Sequence, residues 1–358
     1  MTNLPRNTIL TGDALTRLTE PPAGTVDCVI TSPPYFQLRD YGTPGQLGLE
    51  ATVSAWVEGL RPVFGQLARV LKPTGSLWLN LGDSFSRHLK YGAPPKGLLL
   101  APERLVTALA SDGWLVRNKV IWAKTNPMPS SINDRLTLTY EVVYFLTRSP
   151  RYFFDLDAIR EPHRTTAGKR ARAGTGGKPA WAGPLAASNG GLRRERPDGQ
   201  PGHWLGKNPG DVWQFATSSF RGGHFATFPT ELVRRPLLAT CPEAVCVRCG
   251  QPWKRRVLVR RVGDVRPTPK PDPYRARYRY RWETSRRVGD LVPCGCDAPT
   301  VPGVVADPFF GTGTVGVVAC ELGLDWLGIE LNPNYVRLAE ARLAAACGPP
   351  GGPEACAA

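Results

Sequence analysis

Residues 303–331, GVVADPFFGTGTVGVVACELGLDWLGIEL, have the pattern of a strand, a glycine-rich turn, a helix and a second strand. Gly311, Gly313 and Gly316 follow the spacing G-x-G-x-x-G, which lets the backbone approach a nucleotide-type ligand closely. Glu330 ends the second strand, where an acidic side chain takes the two hydroxyl groups of a ribose. Because such a unit sits beside further parallel strands, the chain is predicted to be an α/β protein.

Asp307, just before these glycines, distinguishes between the nucleotide-type cofactors. The glycine spacing alone also fits NAD, but an acidic residue at the strand end would repel the pyrophosphate of NAD. S-adenosyl-L-methionine carries an ammonium group, a sulfonium and a ribose and no phosphate, so Asp307 suits its cationic amino-acid end. The predicted cofactor is therefore S-adenosyl-L-methionine, with NAD as the alternative.

Strand and helix patterns also alternate through the first part of the chain. Strands are predicted at 26–30, 75–83, 115–122 and 141–146, and helices at 51–71, 102–111 and within 224–241. This alternation favours a mostly parallel sheet covered on both faces. The first of these strands ends in Ser32-Pro33-Pro34-Tyr35, where the prolines stiffen the backbone and leave its carbonyl groups free to accept hydrogen bonds. Open α/β sheets bind ligands at such strand ends, so this corner is a candidate site of chemistry.

Four cysteines form two closely spaced pairs, Cys246-x-x-Cys249 and Cys294-x-Cys296. Four thiolates satisfy tetrahedral zinc, and the first pair, followed by glycine, has the spacing of a zinc knuckle. The second pair is one residue tighter than usual, so four reduced and unliganded cysteines are the alternative. A structural zinc is predicted to close the base of an arm, with Cys241 as a possible substitute ligand.

Four motifs and their order resemble the amino-group DNA methyltransferases of the β arrangement. They are ILTGDAL at 9–15, TSPPY at 31–35, HFATFPTELVRRPL at 224–237 and DPFFGTGT with GIELN at 307–332. The resemblance covers nearly the whole chain outside two inserts and implies a Rossmann-like, S-adenosylmethionine-dependent methyltransferase fold that is circularly permuted. With the inserts added, the predicted parts are a catalytic half at 1–159, a loop-rich target-recognition insert at 160–222, a cofactor-binding half at 223–243 and 304–347, and a small zinc-bound β arm at 244–303.

The resemblance also implies residue roles. Ser32 Oγ and the carbonyl of Pro33, held by the Pro33-Pro34 pair, are the implied acceptors for the N–H groups of an exocyclic amino group. They pull its nitrogen towards a tetrahedral, nucleophilic state, and Tyr35 stacks on the flipped base. A rigid strand-end turn is the structural alternative. The implied cofactor-binding residues are Asp13, which binds the adenine amino group, His224, Phe225, Thr230, Asp307, Phe309, Gly311, Thr312, Gly313, Thr314, Glu330 and Asn332.

Ser32 bears on which base is methylated. A serine at the first position of the corner, with Thr31 before it, resembles the cytosine-N4 enzymes, whereas adenine-N6 members more often have aspartate or asparagine there. Cytosine N4 is therefore predicted, with adenine N6 as the alternative. Carbon-5 methylation needs a cysteine nucleophile, and the dipeptide Pro293-Cys294 is discounted because Cys294 is a predicted metal ligand.

Two segments hold the basic charge of a chain whose net charge is +15. Residues 160–222 carry 11 Lys and Arg against 4 Asp and Glu, and residues 244–303 carry 14 against 5. Charge confined in this way indicates a polyanion, here double-stranded DNA, although solvated basic loops are the alternative. The alternating sequence YRARYRYRW predicts a strand with an arginine face for phosphates or guanine. The candidate DNA contacts are Arg193, Arg194, Arg275, Arg277, Arg279 and Arg281.

The compartment is predicted from what the sequence lacks. No apolar run approaches a membrane span, and the first residues do not resemble a signal peptide. We expect a cytoplasmic protein of a bacterium or phage, a monomer or homodimer with no membrane partner. There, cysteines favour metal sites or the core over disulfides, and Cys28 and Cys320 are predicted core residues.

Two further functions remain as alternatives to a methyltransferase. A catalytically dead DNA-binding module is disfavoured by the intact corner and by Asp307 and Glu330. An NAD-dependent oxidoreductase would leave the proline corner and the basic inserts without a role. No nuclease-like carboxylate cluster is apparent, so a paired restriction enzyme would be a separate protein.

Overall fold

The computed structural model describes residues 4–162, 203, 205–218, 229–266 and 279–347, with the backbone alone for 256–266 and 279–289. The chain forms two compact units. The first comprises Met1–Asp155, Gly210–Trp253 and Cys294–Ala358, and the second comprises Leu156–Pro209 and Lys254–Pro293. Within the described ranges, no helix has both the length and the apolar character needed to span a bilayer.

The strands are numbered in chain order. They are β1 (Thr8–Thr11), β2 (Val26–Thr31), β3 (Leu71–Leu81), β4 (Leu115–Lys124), β5 (Tyr140–Thr147), β6 (Val212–Phe215), β7 (Ala244–Cys246), β8 (Pro252–Trp253), β9 (Arg255–Arg266), β10 (Arg279–Leu291), β11 (Thr300–Val301), β12 (Val304–Asp307) and β13 (Asp325–Glu330). The α-helices are α1 (Ala14–Arg17), α2 (Val53–Val70), α3 (Ala101–Ser111), α4 (Thr230–Thr240), α5 (Thr314–Glu321) and α6 (Pro333–Cys347).

One eight-stranded sheet organises the first unit, in the order β1-β13-β12-β2-β3-β5-β4-β6. Its pairings are parallel except those of β5, which runs antiparallel to both β3 and β4. The α/β class predicted from the sequence is confirmed, although the sheet is mixed. Because β5 is reversed, its first residues lie at the same edge as the last residues of its neighbours.

Both faces of this sheet are covered, as the alternation of side chains along β2 illustrates. Val29 points to a core that includes Trp56 of α2 and Leu105 of α3. Cys28 and Ile30 point to the opposite core, which α4, α5 and α6 cover. A strand buried on both faces has apolar residues on both, which is why residues 28–30 lack an apolar–polar alternation, and the one charged residue before them, Asp27, is paired with Lys72.

Two smaller sheets accompany the main one. In the first unit, β7 pairs with β8 and β11 in a three-stranded antiparallel sheet. In the second unit, β9 and β10 form an antiparallel ribbon, with Arg279 opposite Arg266 and Arg281 opposite Asp264. The strand predicted from YRARYRYRW therefore exists from Arg279 onward, and its earlier residues lie outside the described part.

The structure corrects one expectation and adds an element to a segment expected to be loop-rich. Residues 160–222 contain the short strand β6, which pairs with β4 and buries Trp213 in the core that also holds Cys28 and Ile30. Cys320 was expected to be a core residue outside any disulfide, but it is half-buried against the core and bonded to Cys347. Helices α5 and α6 bring these cysteines together as a disulfide, which a pattern of apolar residues around Cys320 could not indicate.

Candidate functional site

The predicted site residues lie along one edge of the main sheet. Strands β1, β13, β12, β2 and β3 are mutually parallel, so their carboxyl ends meet at this edge. The Ser32–Tyr35 corner follows β2, Asp307 ends the adjacent strand β12, and Glu330 ends β13. A strand order that no local pattern predicts thus assembles residues from both ends of the chain.

A direct hydrogen bond joins the corner to the glycine loop. Thr31 Oγ1 donates to Asp307 Oδ1 over 2.7 Å, and both side chains are buried. The same Asp307 oxygen accepts from the amide of Phe309 at 3.0 Å. The two motifs are therefore parts of one site.

Tyr35 lies at the centre of a hydrogen-bond network at the corner. Ser32 Oγ donates to Tyr35 Oη at 3.0 Å, and Tyr35 Oη donates to Glu141 Oε2 at 2.8 Å. Asn80 Nδ2 donates to both Tyr35 Oη and Glu141 Oε2, at 2.7 and 2.8 Å, and also lies 3.4 Å from Ser32 Oγ. Lys124 Nζ lies 2.6 Å from Glu141 Oε1. Burial, followed by the charge of Glu141, raises the pKa of Tyr35 well above its ordinary value.

The backbone of the corner is held from two sides. Trp56 Nε1 donates to the carbonyl of Pro34 at 2.9 Å. Gly82, at the end of β3, packs so closely on the Tyr35 ring that an added Cβ would lie 2.7 Å from it. In the described ranges nothing donates to the carbonyl of Pro33. That carbonyl and Ser32 Oγ are the corner's available acceptors.

One carboxylate oxygen of Asp307 accepts no hydrogen bond from the described residues. Its side chain is 1% exposed, and Oδ2 is buried with no hydrogen-bond partner among the described residues. The pKa of Asp307 is raised to about 7, chiefly by burial and to a smaller extent by the charge of Glu330, against the opposing effect of the hydrogen bonds from Thr31 and Phe309. A buried carboxylate oxygen without a partner is costly, and a cationic ligand would satisfy it.

One glycine of the loop, Gly311, has open space beside its backbone. Gly311 has φ +54°, and a Cβ there would meet only the Phe309 carbonyl, at 4.0 Å. Gly316 has a different role, because a Cβ there would lie 2.8 Å from the ring of Phe310. Phe310 stacks on Trp326, with ring centroids 5.3 Å apart. The G-x-G-x-x-G spacing therefore combines ligand access at its start with helix–sheet packing at its end.

Glu330 has both oxygens engaged by backbone amides. Oε2 accepts from Gly311 at 2.7 Å and Oε1 accepts from Asn332 at 2.8 Å. Burial raises the pKa of Glu330, and these backbone bonds lower it in part. Asn332 caps α6, since its Oδ1 accepts from the Asn334 amide at 2.9 Å. The carboxylate is thus fixed in orientation beside the loop.

The loop threonines are held by a residue that no motif marked. Arg342 of α6 donates to Thr312 Oγ1 and to the Thr312 carbonyl, both at 2.6 Å, and to Thr314 Oγ1 at 3.3 Å. Gly313 has φ +79° and precedes α5. Arg342 therefore stabilises the backbone turn that leads into α5.

The remaining predicted cofactor residues are placed as follows. Asp13 is exposed and caps α1, with Oδ1 accepting from the Thr16 amide at 2.9 Å. Its neighbour Gly12 donates to the Glu330 carbonyl at 2.8 Å, so Asp13 also belongs to the site edge. Thr230 begins α4, and Phe309 is half-buried. His224 and Phe225 lie outside the described residues.

The four predicted metal ligands meet at one point of the first unit. The sulfur atoms of Cys246, Cys249, Cys294 and Cys296 all lie within 4.8 Å of one another, and those of Cys249 and Cys294 are 3.6 Å apart. Zn–S bonds of about 2.3 Å in a tetrahedron place sulfurs about 3.8 Å apart, so the donor set fits zinc. Cys241 is buried outside this cluster, and its expected role as a substitute ligand is wrong.

The predicted DNA contacts are less completely placed. Arg279 and Arg281 occupy alternate positions of β10. Arg193, Arg194, Arg275 and Arg277 lie outside the described residues.

Asn80, Lys124 and Glu141 are the site residues that sequence reasoning missed. Glu141 was predicted to start a strand, and Lys124 follows the end of another predicted strand. A charged residue at each of two strand ends was an available signal. That signal points to one site only if β5 is known to be antiparallel to β3 and β4, because this direction places the first residues of β5 beside the carboxyl ends of both strands.

Comparison with known proteins identifies similar chains. The family model of the N6_N4_Mtase DNA methylases matches residues 26–247 and 300–341. The type II methyltransferase M.XycI of Xanthomonas campestris pv. cyanopsidis is 34% identical, covering 94% of this chain and 87% of that protein. M.Cfr9I of Citrobacter freundii is 32% identical over the same shares, and M.SmaI of Serratia marcescens is 30% identical over 95% and 92%.

Two solved structures are similar in fold. PvuII DNA methyltransferase (cytosine-N4-specific) superposes with a TM-score of 0.55 and 16% identity, covering 95% of this chain and 87% of that one. A putative DNA modification methylase from Thermus thermophilus, complexed with S-adenosyl-L-methionine, has a TM-score of 0.50 and 21% identity, with 96% of both chains covered.

Proposed function

Because this chain belongs to the N6/N4 DNA methylase family, we propose that it methylates the exocyclic N4 amino group of cytosine in duplex DNA. The methyl donor in this proposal is S-adenosyl-L-methionine, and the target base is flipped out of the helix. The observation that carries the proposal is the adjacency of the Ser-Pro-Pro-Tyr corner and Asp307, joined through Thr31.

The residues around Asp307 fit the proposed cofactor. The partnerless Oδ2 of Asp307 suits the ammonium group, Gly311 leaves room for close approach, and Glu330 suits the ribose hydroxyls. Asp13 is proposed for the adenine amino group, with Phe309, Thr312, Gly313, Thr314, Thr230 and Asn332 around the cofactor. When bound, S-adenosyl-L-methionine supplies an electrophilic methyl group on sulfur.

The corner supplies the acceptors that the amino group requires. An exocyclic amino nitrogen is a poor nucleophile because its lone pair is delocalised into the ring. Ser32 Oγ and the Pro33 carbonyl, held rigidly, accept its N–H groups and favour a tetrahedral nitrogen. The face of Tyr35 serves as the stacking surface for the flipped base.

Cytosine N4 rests on Ser32 as the first residue of the corner. The PvuII enzyme is cytosine-N4-specific by name, but at 16% identity it supports the fold alone. Adenine N6 is the alternative product. The M.XycI, M.Cfr9I and M.SmaI enzymes are type II methyltransferases, which supports methylation at a defined DNA site.

The second proposed element is a zinc site with a DNA-binding arm. Cys246, Cys249, Cys294 and Cys296 are proposed to bind one structural zinc, which would tie together the two chain segments that lead into the ribbon of β9 and β10. The arginines of β10 and of 160–222 are proposed DNA contacts. The methyltransferase fold is also proposed to be circularly permuted, with the catalytic half before the cofactor-binding half in the chain.

Nucleoside mass spectrometry tests the proposed function. Unmodified DNA of mixed sequence would be incubated with the protein and S-adenosyl-L-methionine, digested and analysed. N4-methylcytosine is the expected product. N6-methyladenine would contradict the choice of cytosine, which rests on Ser32, but not the role of Ser32 as an acceptor. The absence of any methylated base would contradict the function as a whole.

A further inference from the structure

We propose that Glu141, acting through Tyr35, fixes Ser32 as a hydrogen-bond acceptor and receives the proton that the target amino group loses. The inference rests on the proposed function. It gives three side chains outside the corner motif a role in the methylation reaction. It concerns Asn80, Lys124 and Glu141, which lie on β3, β4 and β5.

The hydrogen-bond capacity of Tyr35 fixes the direction of the network. A phenolic oxygen has two acceptor positions and one proton. Asn80 Nδ2 can only donate, so it takes one acceptor position of Tyr35 Oη at 2.7 Å. Glu141 Oε2 lies 2.8 Å away and, as a carboxylate, can only accept the Tyr35 proton. The second acceptor position of Tyr35 remains for Ser32.

Ser32 is thereby left with one acceptor position for the substrate, since the other faces Asn80 Nδ2 at 3.4 Å. Its hydroxyl proton is directed to Tyr35 Oη at 3.0 Å. A serine whose proton is engaged elsewhere presents lone pairs alone, which is what an amino N–H requires. Without Tyr35 Oη, the Ser32 hydroxyl could rotate and donate to the amino nitrogen, which would occupy the lone pair needed for attack.

Glu141 is held as the end of this chain of donors. Its Oε1 pairs with Lys124 at 2.6 Å, and its Oε2 accepts from both Tyr35 and Asn80. Its side chain is 15% exposed, so the carboxylate is sheltered but in contact with solvent. Asn80 is neutral and buried, and cannot itself take a proton. Glu141 is therefore the basic end of the network.

The proton movement balances as follows. The amino nitrogen forms a bond to the methyl carbon as the bond from that carbon to sulfur breaks, and the nitrogen becomes positively charged. Its N–H proton passes to Ser32 Oγ, the Ser32 proton passes to Tyr35 Oη, and the Tyr35 proton passes to Glu141 Oε2. The neutral Glu141 carboxyl then releases the proton to water. In this scheme Glu141 is a positioning residue for Ser32 and the proton acceptor.

Tyr35→Phe separates this role from base stacking, because the ring remains and only Oη is lost. Tyr144→Phe is a matched control. Tyr144 Oη donates to Glu103 Oε1 at 3.1 Å, and Glu103 pairs with Lys119, so the same chemistry occurs elsewhere on β5 without contact to Ser32. Glu141→Gln removes the basic end of the network and keeps the side-chain size.

The experiment measures three quantities on a duplex whose modified site has first been mapped by sequencing. They are the single-turnover methylation rate, KM for the duplex, and the fluorescence of a copy with 2-aminopurine at the target position, without cofactor. Tyr35→Phe and Glu141→Gln should each lower the rate about 30- to 100-fold. KM and the 2-aminopurine signal should change less than about threefold, whereas Tyr144→Phe should alter none of the three quantities.

Three outcomes contradict the proposal and are distinguishable. A wild-type protein that methylates no base contradicts the proposed function and this inference with it. A wild type that methylates DNA, with a Tyr35→Phe variant of nearly equal rate, contradicts the inference alone. A Tyr35→Phe variant with a lower rate, a KM raised by a similar factor, a reduced 2-aminopurine signal and a lowered melting temperature would show that Tyr35 Oη only supports the fold.

Discussion

The corner after β2 and the glycine loop after β12 end neighbouring strands, yet the carboxylates beside them are satisfied in opposite ways. At the corner, Glu141 accepts from Tyr35 and Asn80 and pairs with Lys124, although Asn80 Oδ1 is buried without a partner among the described residues. In the glycine loop, Asp307 keeps a buried oxygen without a partner among the described residues. The carboxylate at the corner therefore has both oxygens bonded within the protein, whereas the carboxylate of the loop has one oxygen that a cationic group would satisfy.

This difference indicates which part of the chemistry each region serves. The corner, which is proposed to polarise an amino group, needs hydrogen-bonding groups that are already in place at the moment of reaction. The glycine loop, which is proposed to bind and release a cofactor, has a buried carboxylate whose unfavourable desolvation is relieved only on binding. The stored cost is visible in Asp307, whose pKa burial raises to about 7.

The largest expected effect comes from Asp307→Asn, which removes the charge that the loop offers. Affinity for S-adenosyl-L-methionine should fall by about two orders of magnitude, because a charge-assisted hydrogen bond in a buried site is lost. The free energy of unfolding of the cofactor-free protein at pH 8 should rise by roughly 1–3 kcal/mol, because a desolvated charge is removed. Calorimetric titration and chemical denaturation measure the two quantities.

Asp27→Asn is the matched control for this change. Asp27 is also buried, but its oxygens pair with Lys72 at 2.7 Å and with the Val304 amide at 3.0 Å. Burial raises the pKa of Asp27 as well, but its replacement should lower the free energy of unfolding, because half-buried Lys72 would lose its charged partner. Cofactor affinity should stay within about twofold. Equal behaviour of the two variants would contradict the contrast between satisfied and unsatisfied carboxylates.

Tyr35→Ala tests the corner in the same way and should have the next largest effect. Loss of a stacking surface worth about 1–3 kcal/mol should lower kcat/KM roughly 10- to 100-fold below that of Tyr35→Phe, which keeps the ring. Cofactor affinity should remain within about twofold, because Tyr35 contacts the base side. Equal loss of kcat/KM and cofactor affinity, measured by kinetics and titration, would make Tyr35 a structural residue for both regions.

The pH dependence of cofactor binding is the third test. Below pH 7 the Asp307 carboxyl is largely protonated and neutral, and a cationic ligand favours the ionised form. Affinity should therefore rise about tenfold from pH 6 to pH 8 and level off above, with a proton released on binding at pH 6. Titrations in buffers of different ionisation enthalpy detect that proton. A flat profile would mean that the ammonium group does not bind at Asp307.

The smallest effect is expected from the arm, which lies outside both regions. Replacing Arg279 and Arg281 by alanine should weaken DNA binding several-fold at physiological salt and reduce the slope of log affinity against log salt by about 2. Cofactor affinity should be unchanged, which makes this pair a reference for effects confined to DNA. An unchanged salt slope would contradict a phosphate-binding role for β10.

Sequence patterns located both regions because each combines a strand end with residues that have special backbone properties. The prolines of the corner and Gly311 of the loop are informative locally, as is the alternation of strands and helices. The partners of the corner were not predictable, because Asn80, Lys124 and Glu141 reach it only through the reversed direction of β5. The roles of Gly316 and Arg342 likewise depend on packing between helices and sheet.

The cysteines show the same limit. The spacing of Cys246 and Cys249 was sufficient to predict a cluster, and the structure brings the four sulfurs together. The pairing of Cys320 with Cys347 joins two helices across a separation of 27 residues in sequence, for which no local motif exists. Short-range geometry was readable, and long-range contact was not.

The most direct test of the contrast is a pair of crystal structures, without ligand and with S-adenosyl-L-homocysteine, which carries the same ammonium group and ribose. The ammonium nitrogen should lie within about 3 Å of Asp307 Oδ2, while Ser32, Tyr35 and Glu141 keep their hydrogen bonds in both structures. An ammonium group bound away from Asp307, or a corner network that forms only in the complex, would contradict the account.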